Sequence, residues 1–138
     1  MDIETTKLPI EEGLEAKDLE NSDKLAEFIV AVLDSKKARD IKLLHVEKQT
    51  IIADYFVICT GTSRTQLRAL VDEIEFKLSQ YGVTANHTEG TDSGIWVLQD
   101  FGSVIVHVFT NEAREFYKLE KLYQDTTERD ISDLITED

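Results

Sequence analysis

The chain has 138 residues, of which 41% are hydrophobic, with a formal net charge of −13 and a single cysteine. That length suits one domain with a sizeable core, and Cys59 alone excludes an internal disulfide. No apolar run reaches the length of a membrane span and Met1-Asp-Ile-Glu lacks the basic start of a signal peptide, so a cytoplasmic protein is expected.

Residues 1–20 carry seven acids against Lys7 and Lys17, and residues 125–138 carry six against Arg129. Apolar-poor, like-charged ends do not bury enough surface to offset ordering entropy. The expected organisation is a flexible acidic tail over 1–20, a domain over 21–124 and a second acidic tail over 125–138. The same acidity disfavours contact with bare nucleic-acid phosphates and favours a basic protein partner, with little direct RNA contact.

Residues 23–37 read as a helix. Leu25, Phe28, Ile29, Val32 and Leu33 fall at i, i+3, i+4, i+7 and i+8, with Asn21, Ser22 and Asp23 as candidate caps. Residues 40–47 read as a strand. Residues 51–60 read as a second strand, apolar on both faces and therefore central, after a short connection at 48–50. Ser63 caps the next helix, and Ser63-Arg-Thr-Gln66 has capping-box spacing. Its apolar face runs through Leu67, Leu70, Val71, Ile74, Leu78 and Tyr81, and Gly82 suits its left-handed end.

Residues 83–88 suit a mostly polar edge strand, followed by the loop Glu89-Gly90-Thr-Asp-Ser-Gly94. A hairpin is predicted over 95–100 and 103–109. Alternation places Trp96, Leu98 and Asp100 on one face of its first strand, and Ile95, Val97 and Gln99 on the other. Thr110 caps a last helix running to about residue 125, with one face of Phe116, Leu119, Leu122 and Tyr123. The order α-β-β-α-β-β-β-α predicts a single α/β domain with a mixed sheet of about five strands and helices packed on it.

Several groups invite a chemical reading. Thr60-Gly-Thr-Ser63 before a helix could cradle an anion, but it lacks the lysine and spacing of a phosphate loop, and a capped turn explains it. His45, His87 and His107 fall on three separate predicted strands without metal-ligand spacing. His107, between Val106 and Val108, reads as a satisfied core or interface histidine, and Cys59 as a small buried hydrophobe. No strand carries an Asp-x-Asp or Asp-x-Glu pair to hold a catalytic metal, and no cofactor is called for. A tryptophan on a strand is more often core than contact. Trp96, however, shares its face with Asp100 and follows a loop bearing Glu89 and Asp92. An aromatic rimmed by acids suits a protein-binding anchor.

Four stretches carry a family resemblance. They are Asp54-Tyr-Phe-Val-Ile-Cys-Thr-Gly-Thr-Ser63, Trp96-Val-Leu-x-Asp100, Val106-His-Val-Phe109 and Arg114-Glu-Phe-Tyr-x-Leu-Glu-x-Leu122. In order and spacing, residues 23–125 resemble the ribosomal silencing factor family (RsfS, also called Iojap or YbeB). Where that family usually has a tryptophan after the last stretch, this chain has Tyr123. The resemblance implies a nucleotidyltransferase-like topology without the catalytic acids, and commonly a homodimer. It also implies docking on the large ribosomal subunit through ribosomal protein fourteen, which blocks subunit joining and represses translation when nutrients are scarce. The candidate partner-binding set is Glu89, Gly90, Trp96, Leu98, Asp100, Phe116 and Tyr117. The rival readings are a metal-dependent nucleotidyltransferase-like enzyme and a small anion-binding regulator.

Overall fold

The computed structural model describes residues 7–48 and 50–136. Two short 3-10 turns, Pro9–Glu11 and Ala16–Glu20, lead into helix α1, Ser22–Ser35. Strands β1, Arg39–His45, and β2, Tyr55–Gly61, precede helix α2, Arg64–Ser79. Then come β3, His87–Glu89, β4, Trp96–Asp100, and β5, Val104–Thr110. Helices α3, Asn111–Tyr117, and α4, Leu119–Leu122, are followed by β6, Thr127–Arg129.

The strands form one mixed sheet in the order β3-β4-β5-β2-β1-β6. Among the described residues only the central pair, β2 and β5, runs parallel. Every residue of both central strands is buried, as expected for strands covered on two faces. On one face, Phe28, Ile29 and Leu33 of α1 and Leu70, Ile74 and Leu78 of α2 pack over Val57, Cys59, Val106 and Val108. On the other face, Leu44, Phe56, Ile58, Ile105 and Phe109 form a smaller cluster, edged by Trp96, Leu98, Leu119 and Tyr123.

The caps follow local chemistry. The side-chain oxygen of Asn21 accepts from the Lys24 amide, Ser63 Oγ from the Gln66 amide, and Thr110 Oγ1 from the Ala113 amide. Gln66 reaches back one residue further than a capping box requires, to the Thr62 amide. Asp23 accepts instead from the Tyr55 hydroxyl.

The expected fold class holds, and several finer expectations need correction, among them the second strand, which starts only at Tyr55 and leaves Ile51 and Ile52 exposed. The expected mixed sheet of about five strands has six, the sixth being β6, which pairs antiparallel with β1 at Leu43–Arg129, Leu44–Glu128 and His45–Thr127. The chain past residue 125 is therefore no tail over its described part: Ile131, Leu134 and Ile135 pack against the main core. Nor is the described part of residues 1–20 a tail. Leu19 is buried, Leu8, Ile10 and Leu14 pack on the core, and Glu11 is only 2% exposed. Residues 1–6 and 137–138 lie outside the described residues. Finally, the last helix breaks at Lys118, which is left-handed with φ 50°. The predicted stripe is split as a result. Leu119 and Tyr123 turn inward onto the second cluster, while Phe116 and Leu122 are each 78% exposed.

Candidate functional site: an aromatic surface on the open sheet face

Trp96 opens β4, opposite Phe109 of β5. Its indole stacks on the Phe109 ring at 4.8 Å and meets Tyr117 of α3 at 4.8 Å, and Tyr117 in turn meets Phe116 edge-on at 5.0 Å. Trp96 is half-buried, whereas Phe116 and Tyr117 are exposed. Trp96 of the strand and Phe116 and Tyr117 of the helix, all members of the candidate set, form one continuous aromatic surface. Beside it, between the start of α2 and α3, lies an open groove of about 760 Å³. Ile95, Ala113, Phe116 and Tyr117 supply its apolar lining, and Arg64 and Glu112 its charges.

The backbone of Trp96 is held closely. Gly90 adopts φ +89°, and a Cβ there would collide with the Trp96 carbonyl oxygen. Gly90 is thus a packing requirement of the loop before the anchor. The ring is held from below: indole Nε1–H donates to His107 Nδ1 at 3.2 Å. His107 is 4% exposed, and burial pulls its pKa down to about 4, so the imidazole is neutral at pH 7. Of the sequence reading of this histidine, burial holds and satisfaction is only half met. Its Nε2 has no hydrogen-bond partner among the described residues.

The acidic rim is smaller than the sequence suggested. Glu89 lies opposite Leu98 on β4, on the Trp96 face, and its carboxylate is exposed beside His87 Nε2 at 2.5 Å. Asp100 sits at the far end of β4, roughly 13 Å along the strand from Trp96. Its carboxylate turns into the β4–β5 connection and accepts from the Gly102 amide at 2.8 Å. It shapes that turn and does not rim the anchor. Leu98 is half-buried between the two, opposite His107.

Arg114 was legible only as a motif residue. Its guanidinium bonds both Glu120 oxygens at 3.0 and 3.1 Å, the Asp40 carbonyl at 2.7 Å and Thr60 Oγ1 at 2.8 Å. It ties the α3–α4 break to β1 and β2. The Arg114 hydrogen bond holds the Glu120 carboxyl below its ordinary range. These partners lie up to 74 residues away, so no local pattern announced them.

Around Thr60–Ser63 the side chains serve the fold: Thr60 binds Arg114, and Thr62 binds Gln66. Cys59 is fully buried and its thiol is pushed up to about 12 by burial. Among the described residues no three His, Cys, Asp or Glu side chains cluster as metal ligands, and no helix is long and apolar enough to cross a membrane.

Comparison with known proteins agrees with this architecture. The family described as ribosomal silencing factor during starvation, RsfS, matches residues 19–138. The ribosomal silencing factor RsfS of Bacillus subtilis (strain 168) is 39% identical over 111 residues, covering 80% of this chain and 94% of that protein. The mouse protein named mitochondrial assembly of ribosomal large subunit protein 1 is 35% identical over 100 residues, covering 70% of this chain and 44% of its own length. A crystal structure of a Chromobacterium violaceum protein superposes with a TM-score of 0.70 at 32% identity, covering 80% of this chain and 88% of that one. A Bacillus halodurans crystal structure gives 0.64 at 36% identity, covering 74% and 94%. On sequence and on fold, the chain belongs to the RsfS family of ribosomal silencing factors.

Proposed function

We propose that this chain docks through its Trp96–Tyr117–Phe116 surface on ribosomal protein fourteen of the large subunit and sterically blocks the small subunit, repressing translation. The observation that carries the docking site is the continuity of that surface. Phe116 is 78% exposed next to Tyr117 and Trp96, and partner-binding surfaces are built on such aromatic anchors. The large subunit as the target is supported by the mouse relative, whose name refers to assembly of that subunit. Ribosomal protein fourteen and the homodimer are carried over from the family resemblance.

The charge balance of −13 fits a basic protein partner better than phosphate, and Glu89 at the edge of the surface favours the same sign of partner. The proposed site comprises Trp96, Leu98, Phe116 and Tyr117 as contacts and Glu89 as rim, with Gly90 shaping its loop and Asp100 the distal turn. The mechanism is steric, assigns no catalytic residue and needs no cofactor, and it places the protein in the cytoplasm with the ribosome. The test is co-sedimentation with purified large subunits. The wild-type chain pellets with them, and Phe116→Ala and Trp96→Ala remain in the supernatant. Equal pelleting of all three contradicts the site. Calorimetric titration with nucleotide and magnesium tests the rival enzyme and anion-binding readings, which require heat of binding.

A further inference from the structure

A buried polar atom without a partner calls for an explanation, and among the described residues His107 Nε2 is one. The histidine lies on the central strand β5, walled by Phe56 at 4.9 Å and by Phe109 at 6.3 Å between ring centroids. A phenylalanine would fill such an aromatic site without leaving a polar atom unmet. What the imidazole supplies that a phenyl ring lacks is an acceptor, and Nδ1 uses it on the indole N–H of Trp96. Because Nδ1 accepts, the imidazole proton is assigned to Nε2, the atom left unpartnered.

We infer that His107 is the positioning residue of the docking surface, fixing through its Nδ1 the ring orientation in which Trp96 meets its partner. The inference rests on the proposed docking role of Trp96. The topology favours it. Trp96 faces Phe109 across the strands, and His107 sits two residues back on the same face, within diagonal reach of a large side chain. The indole touches three rings: Phe109, Tyr117 and, at 6.0 Å, His107. The two hydrocarbon-ring contacts permit sliding and tilting, and the hydrogen bond alone is directional. The backbone of the same residue is held by pairing with Phe109 and packs closely against Gly90. A ring set before the encounter has less freedom to lose on binding.

Trp96 is the sole tryptophan, so its indole N–H gives one nuclear-magnetic-resonance signal that reports this bond directly. The variants are His107→Phe, which removes the acceptor, and His107→Gln, which keeps one. In His107→Phe the indole proton shifts upfield and exchanges faster. Affinity for purified large subunits falls about fivefold, the cost of immobilising one side chain on binding. His107→Gln recovers part of both. In a Trp96→Phe background, His107→Phe has no further effect on binding, and this comparison remains informative if the single variant folds poorly. Wild-type affinity in a folded His107→Phe, with Trp96→Ala binding weakly, overturns the positioning role and leaves the docking surface standing. Wild-type affinity in Trp96→Ala overturns the docking role, and this inference with it.

Discussion

Lys77 Nζ of α2 donates to Glu11 Oε2 at 2.8 Å, and both side chains are almost wholly buried. The other Glu11 oxygen accepts from the Tyr81 hydroxyl at 2.8 Å, and Oε2 also takes the Leu8 amide at 2.8 Å. Burial by itself would raise the Glu11 carboxyl. The Lys77, Leu8 and Tyr81 hydrogen bonds outweigh that and hold it below its ordinary value. Burial and Glu11 in turn push the Tyr81 hydroxyl up to about 12. One acid thus fastens the N-terminal segment to the second helix.

Removing that acid breaks a buried ion pair and takes the acceptor from the Tyr81 hydroxyl and the Leu8 amide. Glu11→Ala is expected to cost about 3–5 kcal/mol, whereas Glu11→Leu with Lys77→Met stays within about 1 kcal/mol of wild type, since an apolar pair avoids the desolvation cost. Urea denaturation reads both. A loss below about 1 kcal/mol in Glu11→Ala would return the segment to the status of a tail.

His107 sets the acid side of the stability profile. Its folded-state pKa is near 4 against an ordinary 6.5, so the unfolded chain takes up the proton first as pH falls. The contribution is complete above pH 6.5 and is lost on descent to about pH 4, on the order of 3 kcal/mol in all. Glu11, with a lowered pKa, gives up its contribution only below the ordinary carboxylate value, at lower pH. Thermal unfolding of His107→Gln between pH 7 and 4 should therefore show a flatter slope than wild type. Parallel slopes would mean that the imidazole is solvated.

Arg114 is expected to resist conservative exchange. Its planar fork meets two carboxylate oxygens, a carbonyl and a hydroxyl together, which an ammonium does not reproduce. Arg114→Lys should lose about 1.5–3 kcal/mol, measured by denaturant titration. A near-neutral result would show that the α3–α4 break holds without it.

The two candidate rim acids should behave differently. Glu89→Lys should slow association with the large subunit, by an amount that shrinks with added salt, because Glu89 is an exposed charge beside the proposed contact surface. Asp100→Lys should leave the association rate nearly unchanged and lower the melting temperature, since it loses the hydrogen bond to the Gly102 amide. Stopped-flow association at two salt concentrations separates them. Equal slowing by both would restore the wider rim.

The elements legible in the sequence were those set by neighbours along the chain. The α1 stripe from Leu25 to Leu33, the Ser63 and Thr110 caps and the alternation through Trp96, Leu98 and Asp100 depend on contacts a few residues apart. What escaped depends on distance. Glu11 and Lys77 are 66 residues apart, so an acidic segment read as a solvated tail when it carries a buried ion pair. The three residues of β6 are too few to show alternation. The break at Lys118 follows from Arg114 gripping Glu120 and from Tyr123 turning its ring onto Phe56 at 4.8 Å, neither visible in a continuous helical period. The same break leaves Phe116 and Tyr117 outward beside Trp96.

Subunit joining is the most direct test of the account, read as the rise in light scattering when purified small and large subunits are mixed. Phe116→Ala is the decisive variant, because a side chain 78% exposed contributes little to stability while standing at the proposed contact. Large subunits preincubated with the wild-type chain should fail to join, and those preincubated with Phe116→Ala or Trp96→Ala should join as in its absence. Full inhibition by both folded variants, or none by the wild-type chain, would contradict the account.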